Sequence, residues 1–342
     1  MLSYLTKSRS LLGRNIPKWR RCFSQNTPSH SSDPLRILFC GSDEFSCASL
    51  KAVHEEHIRN KGLIESLEVM TLPSKRTGRD LKILSQGTNL VIAVSFGLFV
   101  PPRILRSAKY GGLNVHPSLL PDLRGPAPVH HAILRGDSHI GVSLQTLDDK
   151  AFDHGTVLSQ TPRPGIPVPS GCTVQELTAL LAPVGAQMLV EGLRNGLYVP
   201  PHQNKGWKVE ELDQWQLEHA PKVTKADGHI QWSDWIADDF VRKIRVLGSV
   251  WTEAVTRKGE TKRLIFQDAE IIAHDDVKAH GTTVPFAVDR GTGTFNAFVS
   301  DQGDGSYAIR TPDEKFIRVK KIKVQGKPER WANLALKPYI QE

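Results

Sequence analysis

The sequence predicts an α/β protein: a mainly parallel sheet covered by helices, followed by a small C-terminal β-barrel. Three observations lead there. A short apolar run ending in glycine, Leu35 to Gly41, feeds directly into a helix-like stretch. Apolar runs and helical runs then alternate to about residue 200. Beyond a polar, proline-bearing stretch the pattern changes to short β-rich runs separated by glycine breaks, the spacing of a small all-β domain.

The first strand is followed by Ser42-Asp-Glu-Phe45 and a helix over Ser46 to His54. Strand, glycine turn and helix open many Rossmann-like sheets, but the full Gly-x-Gly-x-x-Gly fingerprint is absent, so a nicotinamide site is not supported. Leu67 to Leu72 and Leu90 to Phe96 read as the next strands, with the basic, glycine-bearing loop Ser74 to Arg79 between them. After Val100-Pro-Pro a short helix spans Arg103 to Ala108. Pro128 sits where a first helical turn tolerates proline and starts a helix through Leu134. Ile140 to Leu147 alternates polar and apolar residues, as a half-buried strand does.

Gly196, Pro200-Pro201 and the polar run after them mark a linker at 201–218, separating a first domain at 34–200 from a second at 219–340. In the second, helical patterning covers Trp235 to Val246. Strand-like runs follow at 254–256, 263–272, 286–288, 297–299, 307–311 and 316–324. Trp232 and Trp235 are better explained by packing than by base stacking. No apolar run is long enough to span a bilayer, and no partner membrane is expected. Cys22, Cys40, Cys47 and Cys172 show neither Cys-x-x-Cys nor zinc-ligand spacing, so no metal and no disulfide framework is expected.

The net charge of +8 over 342 residues must be located before it means anything. Lys7, Arg9, Arg14, Lys18, Arg20 and Arg21 lie in residues 1–32, with no acid before Asp33. Without those six, 38 basic side chains face 36 acidic ones, or +2. An acid-free, Ser-rich, Arg-rich terminus has the composition of a mitochondrial transit peptide, disordered and removed on import. The expected location is therefore the mitochondrial matrix.

Chemistry concentrates between Gly112 and Gly155. Asn114 and His116 are two apart on a strand end and project from one face. Asp153 lies beyond the next strand. Acyl transfer between amines needs a proton acceptor, a donor to the oxyanion, and a carboxylate that orients and charges the histidine. His, Asn and Asp are the residue types that supply these.

Asn114-Val-His-Pro-Ser-Leu-Leu-Pro121-x-x-Arg-Gly-x-Ala-Pro128, followed by Asp153-x-Gly155, resembles the signature of the folate-dependent formyltransferases. His219-Ala-Pro-Lys-Val-Thr-Lys-Ala-Asp-Gly-His-Ile-Gln-Trp232 resembles the segment opening the C-terminal domain of the methionyl-tRNA branch of that family. The resemblance covers roughly residues 35–336 and implies a formyltransferase fold with an OB-like second domain. It implies transfer of a formyl group from 10-formyltetrahydrofolate, a co-substrate, to methionyl initiator tRNA. Asn114, His116 and Asp153 would be catalytic. The Ser118-Leu119-Leu120-Pro121 loop would lie against the folate, and Ser95, Phe96 and Gly97 would line the pterin pocket. Lys75, Arg76 and Arg79 would reach the acceptor end of the tRNA, and a monomer is expected.

A second basic concentration, Lys315, Arg318, Lys320, Lys321 and Lys323, lies in the last β-rich run. Alternation there would put part of the charge on one solvent face of a strand, where it could track phosphates. Four features depart from the family pattern. The family has a helix and a strand before the run at Leu90, where this chain has only Leu81 to Asn89, which implies a lost edge strand. Pro126 and His154 replace a common Ala and Thr. Asp122 replaces a common Arg and would alter the charge facing the tRNA. Two alternatives follow: a tRNA-binding homologue that has lost turnover, and a formyltransferase acting on a small amine.

Overall fold

The computed structural model describes residues 32–71, 87–211, 217–278, 280–287 and 293–340. The transit-peptide reading, the basic loop with Lys75, Arg76 and Arg79, and most of the shortened segment lie outside them. In chain order the first part contains β1 (Leu35–Gly41), α1 (Glu44–Arg59), β2 (Ile64–Met70), β3 (Leu90–Val94), α2 (Pro102–Ser107), β4 (Gly112–His116), α3 (Pro128–Arg135), β5 (His139–Ile140), β6 (Ser143–Thr146), β7 (Val157–Gln160), β8 (Ile166–Pro167), α4 (Val174–Arg194) and α5 (Lys208–Glu211).

One sheet has the order β2-β1-β3-β4-β6-β7. The first four strands pair in parallel, and β4-β6-β7 pair antiparallel. Side chains alternate across it. Ile37, Phe39, Leu90, Ile92, Val94, Leu113 and Val115 point into a large apolar layer completed by α1, α3 and α4. Leu38, Cys40, Val91 and Ala93 point the other way, into a smaller layer closed by α2. Burial there pushes the Cys40 thiol up to about 11.

Several elements differ from the expectation. The run 140–147 is not one half-buried strand but two short ones, and Ser143, Leu144 and Gln145 are all buried because α4 covers one face and the site loops the other. The 21-residue α4 is absent from the sequence reading; Pro183 in its interior and its many small residues blur the helical period. Its start is nevertheless written in Thr173 and Glu176, which form a capping box. Among the described residues β2 is the sheet edge, with Val69 half exposed.

The second part contains α6 (Ala237–Leu247), β9 (Val250–Val255), β10 (Thr261–Phe266), β11 (Glu270–Ile272), β12 (Thr282–Ala287), β13 (Thr294–Asp301), β14 (Tyr307–Arg310), β15 (Phe316–Val319), β16 (Lys321–Val324), β17 (Glu329–Trp331) and α7 (Ala332–Leu336). Nine antiparallel strands, in the order β11-β15-β14-β13-β12-β9-β10-β16-β17, curl barrel-like around one apolar cluster. Trp232 stacks on Phe286 at 4.2 Å and donates its indole N–H to Thr252. Trp232 and Trp235 are core residues, as packing requires.

Helices α1 and α4 are joined by a buried carboxylate. Glu56 is 2% exposed, and Arg194 donates Nε to it at 3.0 Å and a second N–H beside that. The Arg194 guanidinium holds Glu56 below the ordinary carboxylate range. Arg194→Met is expected to cost about 2 kcal/mol at pH 7, less than for a fully buried pair because Arg194 is 44% exposed. A depressed carboxyl contributes stability above its unfolded pKa of about 4.3 and loses it as pH falls through the lower folded value. Urea unfolding at pH 7 and pH 3 is therefore expected to show a shallower acid loss for the variant; an identical pH slope would refute the assignment.

Candidate active site

The period of β4 creates the site. Leu113 and Val115 enter the large apolar layer, so Asn114 and His116 must face the other side, where the small layer ends. Asn114 is flanked by Ala93 of β3 and Gln145 of β6 in register. Here a cavity of about 600 Å³ opens, walled by Phe96, Val100 and Leu147 and by the polar groups of Asn114, His116, Gln145 and Asp153.

Asp153 does not arrive from the carboxyl end of a parallel strand. Because β6 runs antiparallel to β4, residues 147–156 must fold back over the sheet to bring its carboxylate to Asn114. Asp153 makes that turn with φ +57, a left-handed conformation that Asp tolerates better than most residues. Gly155 completes it: a Cβ there would run into the carbonyl oxygen of Thr146.

Four groups meet the Asp153 carboxylate or face it, and a fifth bonds its backbone carbonyl. Oδ1 accepts from Asn114 Nδ2 at 3.0 Å and from Gln145 Nε2 at 3.1 Å, and faces His116 Nδ1 at 3.4 Å. Oδ2 accepts the backbone N–H of Gly125 at 3.0 Å. Arg124 Nε donates to the Asp153 carbonyl at 2.8 Å. On the far side of the imidazole, Nε2 lies 3.0 Å from the carbonyl oxygen of Leu123, to which only an N–H can donate. The histidine and aspartate side chains are 6% and 9% exposed, so these bonds form largely out of water.

The expected trio thus comes together. Ser95, Phe96 and Gly97 line the same cavity. Ser118, Leu119, Leu120 and Pro121 do not. Ser118 is tied inward to the Asp122 carbonyl and to Ser143, Leu119 is buried, and Leu120 and Pro121 border a neighbouring pocket. Asp122 does not face outward either. It is buried in a bidentate pair with Arg135 and accepts the Glu218 N–H, which takes its charge out of play.

Gln145 is the polar contributor that sequence reading missed, although its place in the Ser143–Thr146 alternation puts it beside Asn114. His130 also lines the cavity, and burial, with His131 beside it, pushes its imidazole toward the neutral form. Among the described residues no group of three His, Cys, Asp or Glu side chains is placed to hold a metal ion, and no helix is long and apolar enough to cross a membrane.

The second basic concentration is largely neutralised, contrary to expectation. The run 316–324 breaks at Lys320 into β15 and β16. Lys315 pairs with Asp238 and Asp313, Arg318 with Asp304 and Glu270, Lys320 with Glu270, and Lys321 with Glu329. Acids distant in sequence supply most of this opposition. Lys323 is exposed and makes no ion pair among the described residues.

Residues 79–193 match the formyl transferase family. The chain is 32% identical over 264 residues to the mitochondrial methionyl-tRNA formyltransferase of Bos taurus, covering 69% of this chain and 65% of that one. It is 32% identical over 241 residues to the methionyl-tRNA formyltransferase of Ehrlichia canis, covering 62% of this chain and 74% of that one. The chain therefore spans about 65% of the length of the bovine relative. Among solved structures, HypX from Aquifex aeolicus is similar in fold, with a TM-score of 0.51 at 18% identity, over 89% of this chain and 49% of that chain.

Gly155→Ala is expected to push the 147–156 loop off β6, costing on the order of 2 kcal/mol and misplacing Asp153. Thermal unfolding reads the first effect. An unchanged melting temperature would mean that the loop does not need the close approach.

Proposed function

This chain belongs to the methionyl-tRNA formyltransferase family, and we propose on that premise that it moves a formyl group from 10-formyltetrahydrofolate to the amino group of methionyl-tRNA. The product would be formylmethionyl initiator tRNA for mitochondrial translation. One observation carries the reading: two amides and an imidazole converge on one buried carboxylate at the wall of a cavity of about 600 Å³. That volume lies within the range of small-molecule sites, and the walls of Phe96, Val100 and Leu147 suit a flat heterocycle.

In the reaction the amine nitrogen bonds to the formyl carbon, whose oxygen takes up negative charge. Collapse then breaks the bond from that carbon to the folate nitrogen, which leaves with a proton equivalent to the one the amine lost. Asn114 spends one amide hydrogen on Asp153 and keeps a second, which stabilises the oxyanion. His116 exchanges the proton through Nδ1, because the 3.4 Å contact to Asp153 is looser than the 3.0 Å bond from Nε2 to Leu123. Asp153 orients both groups. No step calls on a metal.

Residues 34–200 serve as the catalytic domain and 219–340 as the tRNA-binding domain, joined by the linker at 201–218. Residues 1–32 act as the matrix-targeting segment, and the protein works as a monomer. Ser95, Phe96 and Gly97 border the pterin. Lys75, Arg76, Arg79, Lys320, Lys321 and Lys323 approach the tRNA, with Lys315 and Arg318 serving mainly to hold the barrel together.

Incubated with 10-formyltetrahydrofolate and charged initiator tRNA, the protein is expected to yield formylmethionyl product. His116→Ala is expected to lower the rate roughly 10²- to 10⁴-fold while tRNA still binds. Wild type that binds tRNA without forming product would indicate lost turnover, and formylation of a small amine alone would move the substrate. Substituting Lys320, Lys321 and Lys323 together by Gln is expected to weaken tRNA binding and flatten its salt dependence by less than three charges' worth, since two of the three are paired in the free protein.

A further inference from the structure

We propose that Arg124 forms an anion subsite that grips the phosphate of the acceptor RNA's terminal nucleotide, an inference that rests on the reaction proposed above. Arg124 lies in the loop between β4 and α3. Its Nε donates to the Asp153 carbonyl at 2.8 Å, which fixes the plane of the guanidinium, while Nη1 and Nη2 have no partner among the described residues. The Asp153 carboxylate makes no hydrogen bond to this guanidinium; its oxygens accept from Asn114, Gln145 and Gly125 instead. The cation is half buried, and burial lowers its pKa against the pull of Asp153.

A held, partly desolvated fork without a carboxylate is what a phosphate or carboxylate ligand completes bidentately. Arg124 borders a second pocket of about 660 Å³, separate from the apolar-walled cavity but sharing Asp153 with it. Thr156 and Asn204 line this pocket too. The Asn204 carbonyl accepts from Gly206, which leaves its amide N–H groups free to donate. Asp153 is the sole acidic residue in that lining.

Two anions could come here: the RNA phosphate or a glutamyl carboxylate of the folate. Position favours the phosphate. The reacting amine is carried on an ester of the terminal ribose, so the phosphate across that ribose is the anion nearest to the reacting nitrogen. The pocket in turn adjoins the reaction cavity through Asp153.

Methionyl esters of adenosine and of adenosine 5′-phosphate are minimal acceptors that differ only in this group. Wild type is expected to show a KM about tenfold lower for the phosphorylated ester. Arg124→Gln is expected to lose most of that ratio, and Arg124→Lys to keep part of it as a point charge. A purely structural role through the Asp153 carbonyl would depress both acceptors equally and leave the ratio intact, which overturns the proposal. In Arg124→Gln, an intact acceptor ratio together with a KM that rises more for folate carrying extra glutamates than for folate with one would assign the anion to the folate and also overturn it. Calorimetry of adenosine 5′-phosphate against adenosine, with wild type and Arg124→Gln, reads the same preference without turnover. Absence of formyl product from whole charged tRNA would therefore sink the reaction, while the calorimetric ratio still decides the subsite.

Discussion

A carboxylate that is nine-tenths buried must be fed by donors, and Asp153 dictates the site for that reason. Each donor comes from a different stretch of chain: Asn114 from β4, Gln145 from β6, Gly125 from the loop before α3. Removing any one leaves a buried acceptor partly unsatisfied, so three segments are held in register by one side chain. In the proposed reaction the same convergence prepares the chemistry. An amide with one hydrogen spent and one left over is already aimed before charge develops, so it needs little reorganisation when the charge appears.

The loop carrying Leu123, Arg124 and Gly125 is itself held from outside the first sheet. Leu123 donates its N–H to the Glu218 carbonyl at 2.8 Å, and Ala220 donates to the Arg124 carbonyl at 2.7 Å, making a short parallel bridge between Arg124 and His219. Gly125, at φ +121, has no room for a side chain, since a Cβ would lie 2.5 Å from the Ala220 oxygen. The segment entering the second domain thus forms the outer rail of the loop that bonds both His116 and Asp153. Displacing that segment would loosen the Leu123 carbonyl that fixes the imidazole, so the loop depends on residues 218–220 through backbone hydrogen bonds.

Local rules made much of this legible. The two-residue spacing of Asn114 and His116 placed them on one face, and the strand-glycine-helix opening placed β1 and α1. What escaped were facts about partners. Nothing local says that β6 turns antiparallel, so the route by which Asp153 returns to Asn114 could not be read. Glu270, Asp304 and Asp238 neutralise the last basic run from 48 and 50 residues, 14 residues and 77 residues away in the chain, and a count of nearby acids misses them. Ser118 to Pro121 follow β4 at once, yet the chain turns them inward, where Ser143 bonds the Ser118 carbonyl.

The position of the site also follows from an asymmetry in the sheet. One face is sealed by α1, α3 and α4 over a continuous apolar layer, and a polar pair there would face hydrocarbon with no donors at hand. Among the described residues the other face is closed by α2 and ends where Ala93, a small side chain, sits beside Asn114. A larger residue in place of Ala93 would extend the apolar layer across the amide and fill the cavity. The sheet therefore spends its tight packing on one side for stability and leaves room for chemistry on the other, and the alternation of β4 assigns its two polar residues to the side that can accommodate them.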